Sequence, residues 1–298
     1  MCIPTYQRPD SLSQTLQSIL DSDLDGVKLT QINIIVVDND SRRSAEAVVK
    51  KLSEKTDGNF RIHYYSYPQK GLANVRNELL NRALALQPEL IAFIDDDEYA
   101  SKNWLKVLIN SIINNNADIV AGPVVSVFEK VVPDYLSYWF ARENHANNKP
   151  IAKIGAGNLV ISSQFLLKNN LRFDTRFNTT GAEDTYFGIQ ASKAGGKILW
   201  SSEAVTYETV PTGRLSLNWL FKRRYRGAIT YTFILKLERK YLALLKKAIL
   251  SGLYLIVGAL GLVMLAFKNK NRYWGVLKIA EGLGGFSGIF NLQYHEYK

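Results

Sequence analysis

The 298-residue chain can hold one large or two modest domains, and 47% hydrophobic residues is ample for a core. Its formal charge of +10 sits at the back: 15 Lys/Arg face 3 Asp/Glu from Thr212 on, against 22 and 24 before it. One cysteine, Cys2, excludes an internal disulfide and fits a reducing compartment, and a basic half beside apolar segments points to anionic lipid headgroups or phosphorylated ligands rather than nucleic acid.

Pro4, Arg8, Pro9 and Asp10 break the opening stretch, so no signal peptide is expected. The chain opens inside a strand, Met1 to Ile3, which leads one to expect residues upstream of Met1. A loop through Pro9 leads to a helix capped by Asp10 or Ser11 and running to about Leu20. Ile32–Val37 is a buried strand ending in Asp38, Asn39, Asp40 and Ser41, followed by a helix from Ser44 to about Glu54. Arg61–Tyr67 is a third strand. Gly71–Leu86 is a helix with Leu72, Val75, Leu79, Leu80 and Ala83 on one stripe. Leu90–Ile94 is a short apolar strand that runs into Asp95, Asp96, Asp97 and Glu98. Asn103–Asn115 is a helix, Asp118–Ala121 a strand, and Ser126–Lys153 an irregular aromatic stretch that covers the site or frames an acceptor. Gly155, Ala156, Gly157 and Asn158 lead into a strand over Leu159 to Ser162. After a loop from Phe173 to Gly181, Glu183 and Asp184 open a helix to about Lys193, and short strands follow at Ile198–Trp200 and Val205–Tyr207. This strand–helix alternation predicts an α/β fold, a doubly wound, mostly parallel sheet with helices on both faces and its ligand beyond the carboxyl ends of the strands.

The last third changes character. Leu215–Leu245 reads as a basic helix or helix pair. Ala248–Phe267 is an uncharged run of hydrocarbon-spanning length, or else a buried helix packed on the globular part. Lysines and arginines on both flanks leave it without a charge-set orientation and favour both ends in the cytoplasm. Tyr273–Tyr294, weaker and glycine-rich, is the return arm of a hairpin or a helix lying in the interface. The expected division is a catalytic domain over 1–211, a basic helical region over 212–247 and membrane-attachment helices over 248–298.

Three adjacent carboxylates repel one another. A divalent cation shared with phosphate oxygens would neutralise them; otherwise they form a solvated acidic turn. His63, His145 and His295 show no metal-ligand spacing, so zinc is not expected.

Pro4-Thr5-Tyr6, Val37-Asp38-Asn39-Asp40, Gly71-Leu72-Ala73-Asn74-Val75-Arg76-Asn77, Asp95-Asp96-Asp97 and Gly181-Ala182-Glu183-Asp184 stand in an order that resembles the family 2 inverting glycosyltransferases of the GT-A fold. The nearest look-alikes are bacterial exopolysaccharide enzymes of the type that builds succinoglycan. The resemblance covers about residues 1–230 and implies a nucleotide-sugar donor, UDP-linked, lying across the strand ends. It implies that Thr5 and Tyr6 flank the base, that Asp38 accepts from the uracil N–H and that Arg76 lies near base or ribose. From the residues alone, Asp38 is also a turn-former and Arg76 a surface helix charge. Asp95 and Asp97 match the family's Asp-x-Asp motif. Asp97 would bind Mg²⁺ or Mn²⁺, and Asp95 would support the metal or contact ribose. Asp96, in the variable position, counts with the donor-binding residues and is expected to point outward. Asp184 is implied as the base for the acceptor hydroxyl, with Glu183 orienting it; both also favour a helix N-terminus. The family often carries a further acid where this chain has Tyr186. Arg223 and Arg226 would hold a diphosphate, or rest on anionic headgroups. The implied acceptor is a glycan on a polyprenyl-pyrophosphate carrier at the cytoplasmic face of the inner membrane. A nucleotidyltransferase and a non-catalytic glycan-binding scaffold are the alternatives.

Overall fold

The structure is a computed structural model that describes residues 1–27, 31–56 and 58–292. His295 and the end of the expected 273–294 segment lie outside these residues.

In chain order the elements are β1 (Cys2–Thr5), α1 (Pro9–Leu20), β2 (Ile32–Asp38), α2 (Glu46–Ser53), β3 (Phe60–Ser66), α3 (Leu72–Ala85), β4 (Leu90–Ile94), β5 (Glu98–Ala100), α4 (Trp104–Asn114), β6 (Ile119–Ala121), β7 (Val124–Phe128) and α5 (Asp134–Ser137). Then come β8 (Asn158–Ser162), α6 (Ser163–Lys168), α7 (Glu183–Lys193), β9 (Ile198–Trp200), β10 (Thr206–Val210), α8 (Leu217–Leu237), α9 (Tyr241–Leu260) and α10 (Trp274–Ile289). They fall into two compact units. One comprises Met1–Ser126, Arg142–Asn178 and Glu183–Thr209; the other comprises Val127–Ala141, Thr179–Ala182 and Val210 onward.

The first unit is built on a seven-stranded sheet in the order β3-β2-β1-β4-β8-β6-β9. Successive residues of each strand point to opposite faces, so the run from Ile34 to Val37 feeds two cores at once. Ile34 and Val36 join α1, α2 and α4 on one face, through Leu12, Leu16, Val49 and Trp104. Ile35 and Val37 join α3, α6 and α7 on the other, through Leu79, Leu80, Phe165 and Phe187. The sheet is parallel except at β8, which runs antiparallel to both β4 and β6. That reversal matters for the site: with Ile94 paired to Asn158, the residue before β8, Gly157, comes to the end of β4 where Asp95 begins. Helix α1 starts on Pro9 at its first position without a side-chain cap, so neither Asp10 nor Ser11 caps it. Beyond the main sheet β5 pairs antiparallel with β10, setting Glu98 opposite Glu208.

In the second unit the expected basic helix is a pair. Helix α8 ends at Leu237, Arg239 takes a positive φ of 53°, and α9 begins at Tyr241. The helix therefore begins before the uncharged run at Ala248. It continues to Ala266, its last six residues forming a 3-10 turn, and its most apolar 18-residue window has a mean hydropathy of 2.4. Among the described residues it is the one helix long and apolar enough to cross a membrane. Only 17% of its most apolar window is buried, which does not fit a core helix packed on the globular part. Helix α10 packs on both α8 and α9 through glycines: a Cβ at Gly284 would collide with the Tyr225 carbonyl, and one at Gly285 with the Ser251 hydroxyl. A small core of Phe140, Val210, Leu220 and Leu277 joins α8 and α10 to the aromatic stretch.

Candidate active site

Beyond Ile94 the acids alternate. Asp95 and Asp97 keep 30% and 24% of their side chains exposed, whereas Asp96 and Glu98 are buried. Asp96 is held from β1 and the loop after it, and that loop also reaches Asp97. Thr5 donates its hydroxyl to Asp96 Oδ2 at 2.7 Å, and Arg8 Nη1 reaches Asp96 Oδ1 at 3.1 Å and Asp97 Oδ2 at 2.8 Å. Asp96 therefore points inward, against expectation, and Thr5 spends its hydroxyl on it. Tyr6, beside Thr5, is 52% exposed. Burial pushes the Asp96 carboxyl up to about 6, opposed by Arg8 and reinforced by Asp97. Glu98 accepts from the Thr206 hydroxyl at 2.7 Å, and burial together with Asp95 raises its carboxyl well above the usual range. Arg142 forms an ion pair with Glu208 and opposes that rise at Glu98.

Arg76 is not a surface charge. It is 3% exposed and bridges the two acidic clusters: Nη2 lies 2.9 Å from Asp95 Oδ1 and Nη1 lies 2.5 Å from Glu183 Oε1. The rest of its motif is structural. Gly71 has a φ of +115° and packs where any Cβ would strike Asn178, and the Asn77 side chain accepts from Phe173 N and donates to Phe173 O at 2.9 and 2.8 Å. Glu183 is buried, with Oε2 lacking a partner. Burial pushes its carboxyl up to about 7, with Arg76 pulling down and Asp184 pushing up. The folded state thus holds this proton more tightly than the unfolded chain. The resulting stabilisation is complete below about pH 4.5 and lost as pH rises through about 7. We expect Glu183→Gln to match the parent Tm near pH 5 and to flatten the fall in Tm between pH 4.5 and 7, read by thermal melts across that range. An unchanged slope would remove Glu183 from the pH response.

Asp184 is half-buried at the start of α7. Its Oδ1 accepts from Thr185 N at 2.6 Å and its Oδ2 from Ala156 N at 3.4 Å. The same short segment meets Asp95. A Cβ on Gly155 would stand 3.7 Å from Asp184 Oδ2, and one on Gly157 would stand 3.0 Å from Asp95 Oδ2 and collide with Glu98 Oε1. Asp95 and Asp184 therefore lie at the two ends of Gly155–Ala156–Gly157, and one guanidinium links Asp95 to Glu183, the neighbour of Asp184. We expect Gly157→Ala to displace Asp95 and Glu98, costing about 1–3 kcal/mol of stability and weakening donor binding, measured by melting and by calorimetry. Unaltered donor affinity would show that Asp95 does not depend on this packing.

Asp38 is fully buried and its carboxylate is satisfied inside the chain. Oδ1 accepts from Asp40 N, and Oδ2 from Ala45 N and the Tyr64 hydroxyl, all at 2.9 Å. It shapes the turn after β2. Asp40 differs: Oδ1 takes Arg42 N at 3.2 Å and Gln7 Nε2 at 3.4 Å, and the Ser44 hydroxyl lies beside its carboxylate. Tyr186, in the place of the further acid, is buried against Phe177. Arg223 and Arg226 belong to α8 of the second unit, where Arg223 lies over the Trp219 ring at 5.0 Å. Arg8, Glu98 and Arg142 escaped the sequence reading. Glu98 directly follows the triplet and Arg8 lies in the first loop, so both had a positional signal; Arg142 in its irregular stretch had none.

Among the described residues no group of three or more His, Cys, Asp or Glu forms a ready metal cage. Two half-exposed carboxylates two residues apart are instead the donor set that suits a hard cation completing its shell with phosphate oxygens.

The sequence profile described as Glycosyl transferase family 2 matches residues 1–179. The chain belongs to that family. It is 31% identical over 233 residues to the succinoglycan biosynthesis protein ExoM of Rhizobium meliloti, covering 76% of this chain and 72% of that one. Among solved structures it resembles residues 1–349 of Staphylococcus aureus TarS in complex with UDP-GlcNAc, with a TM-score of 0.56, 17% identity and coverage of 100% and 93%. Against full-length TarS the chain spans 35% of its length. The mannosyltransferase PcManGT of Pyrobaculum calidifontis, in complex with GDP-Man and Mn²⁺, aligns with a TM-score of 0.63, 17% identity and coverage of 97% and 86%. The fold is GT-A-like and the protein is a family 2 glycosyltransferase.

Proposed function

We propose that this glycosyltransferase moves a sugar, with inversion, from a UDP-linked donor to a lipid-linked glycan during bacterial surface polysaccharide synthesis. The observation that carries the reading is the pair of Asp95 and Asp184 on one glycine segment, tied through Arg76 and Glu183. Inversion needs a leaving group on one side of the anomeric carbon and a base on the other, and two carboxylate positions across a small, open backbone offer both. Asp184 takes the acceptor hydroxyl proton as the new bond forms. Glu183 and Arg76 hold α7 and Asp95 in register. Tyr6 faces the base. Asp95 and Asp97 would hold Mg²⁺ or Mn²⁺, which supplies charge neutralisation for a departing diphosphate. Asp97→Ala is accordingly expected to weaken donor binding by calorimetry with Mn²⁺ present and to change it little without; equal losses would detach Asp97 from the metal.

The ExoM likeness supports polysaccharide synthesis, and the nucleotide-sugar complexes of TarS and PcManGT support the donor class. The apolar α9 and the basic second unit support attachment to the cytoplasmic face of the inner membrane, where the acceptor is a polyprenyl-pyrophosphate-linked glycan and Arg223 and Arg226 offer guanidinium forks to lipid-borne phosphate. A screen of nucleotide sugars, scored by release of the nucleoside diphosphate with membrane lipid extract as acceptor, tests the whole reading. Release from UDP-sugars that rises with the extract is the expected result; no turnover with any donor would sink it.

A further inference from the structure

Helix α9 carries two different faces. Leu242, Leu245, Ile249, Leu253, Ile256 and Leu260 recur every three or four residues and are 49–85% exposed, so they form one apolar stripe along the whole helix. The opposite face holds its buried positions, Ser251 and Gly258, which pack on α10 at Gly282, Gly285, Gly275 and Ile279. These contacts fix the level of each helix against the others. Gly282 meets Ser251 and Leu255, while Gly284 meets Tyr225, so the middle of α9 lies level with residues 222–226 of α8.

That level is charged. Arg224 pairs with Glu281 at 3.4 Å, Lys278 pairs with Glu281 at 2.8 Å, and Lys278 Nζ stands 4.4 Å from the Tyr254 ring centre. Lys222, Arg223 and Arg224 are exposed there rather than turned into the bundle. Were α9 to cross a bilayer in this packing, exposed cations would lie near the hydrocarbon mid-plane, where ionised side chains are strongly disfavoured and survive by facing a protein interior. A helix lying in the interface meets no such conflict, because only the stripe enters the leaflet. The cations near the stripe complement an anionic surface. Lys240 and Lys246 are exposed at its start, and Lys268 and Lys270 are exposed beyond its end.

We propose that the second unit binds the membrane in plane, with the α9 stripe immersed in one anionic leaflet, and that α9 does not cross the bilayer despite its length. This rests on the membrane attachment proposed above. The test uses the full chain with vesicles of phosphatidylcholine, with or without phosphatidylglycerol, and with inside-out membrane vesicles from expressing cells. Sedimentation with phosphatidylglycerol vesicles is expected, with a drop of roughly tenfold or more in the double variant Ile249→Asp/Ile256→Asp, whose positions are too exposed to disturb the core. In the inside-out vesicles, Lys240→Cys and Asn269→Cys, at the two ends of the apolar stretch, should both react with an impermeant maleimide, Cys2 being buried. Protection of Lys240→Cys until detergent is added, with Asn269→Cys reactive, would mean that α9 spans and would overturn the in-plane arrangement alone. Failure to bind any vesicle would overturn attachment itself. A double variant that still binds vesicles but turns a dimer into a monomer would assign the stripe to a second copy of the chain and overturn the proposal.

Discussion

Asp184→Asn is expected to lower the transfer rate by about 10²–10⁴-fold while leaving donor affinity unchanged. Two roles compete for this residue, and their magnitudes differ enough to separate them. As a charge at the start of α7, Asp184 contributes on the order of 0.3–1 kcal/mol to stability and nothing to the chemistry. As the base, it accepts the proton that the acceptor oxygen sheds as it attacks. Asparagine keeps one oxygen for Thr185 N and gives up only the longer bond, 3.4 Å, from Ala156 N, so the start of α7 survives the change. A variant with parent-like melting, parent-like calorimetric donor binding and almost no product would assign the residue to chemistry. Full turnover would return it to the helix end and leave the site without a base.

The sheet was legible because buried strands announce themselves. Ile32–Val37 and Leu90–Ile94 are unbroken apolar runs, and no other arrangement buries both faces of such runs as economically as a sheet between helix layers. The direction of β8 was not legible. Hydrophobic pattern has a period but no sign, so an antiparallel strand inside a parallel sheet looks the same in sequence. That one reversal delivers Gly157 to Asp95, which is why the site's floor could not be foreseen even though its acids could. The different surroundings of Asp38 and Asp40 were not legible for a related reason. Both acids follow one strand, and only the turn geometry decides which carboxylate spends its oxygens on Ala45 N and Tyr64. For Arg76 the pattern left two readings open, a donor contact and a surface charge, because the stripe of α3 is apolar on one side only and a cation on such a helix normally faces water. What buries it is a pair of carboxylates from elements 19 and 107 residues further along the chain.

Arg76→Met is expected to be strongly destabilising. It removes the guanidinium that both Asp95 and Glu183 touch at hydrogen-bonding distance, and it does so where Arg76 and Glu183 are each 3% exposed at the side chain. Breaking a buried pair from one side costs about 3–5 kcal/mol, because the remaining charge keeps its desolvation cost and loses its compensation. A fall in Tm on the order of 10 °C follows for a chain of this size. Arg76→Lys should lose much of the same stability, since one ammonium cannot present two separate N–H edges to carboxylates on opposite sides. Glu183→Gln placed in the Arg76→Met background removes the buried carboxyl left without its partner and should recover part of the loss, so the double variant melts above the sum of its singles. Strict additivity in that cycle, or a Tm of Arg76→Met equal to the parent's, would mean that the bridge does not hold the two acidic clusters together. The proposed reaction geometry would then lose the contact that ties the strand ends to α7.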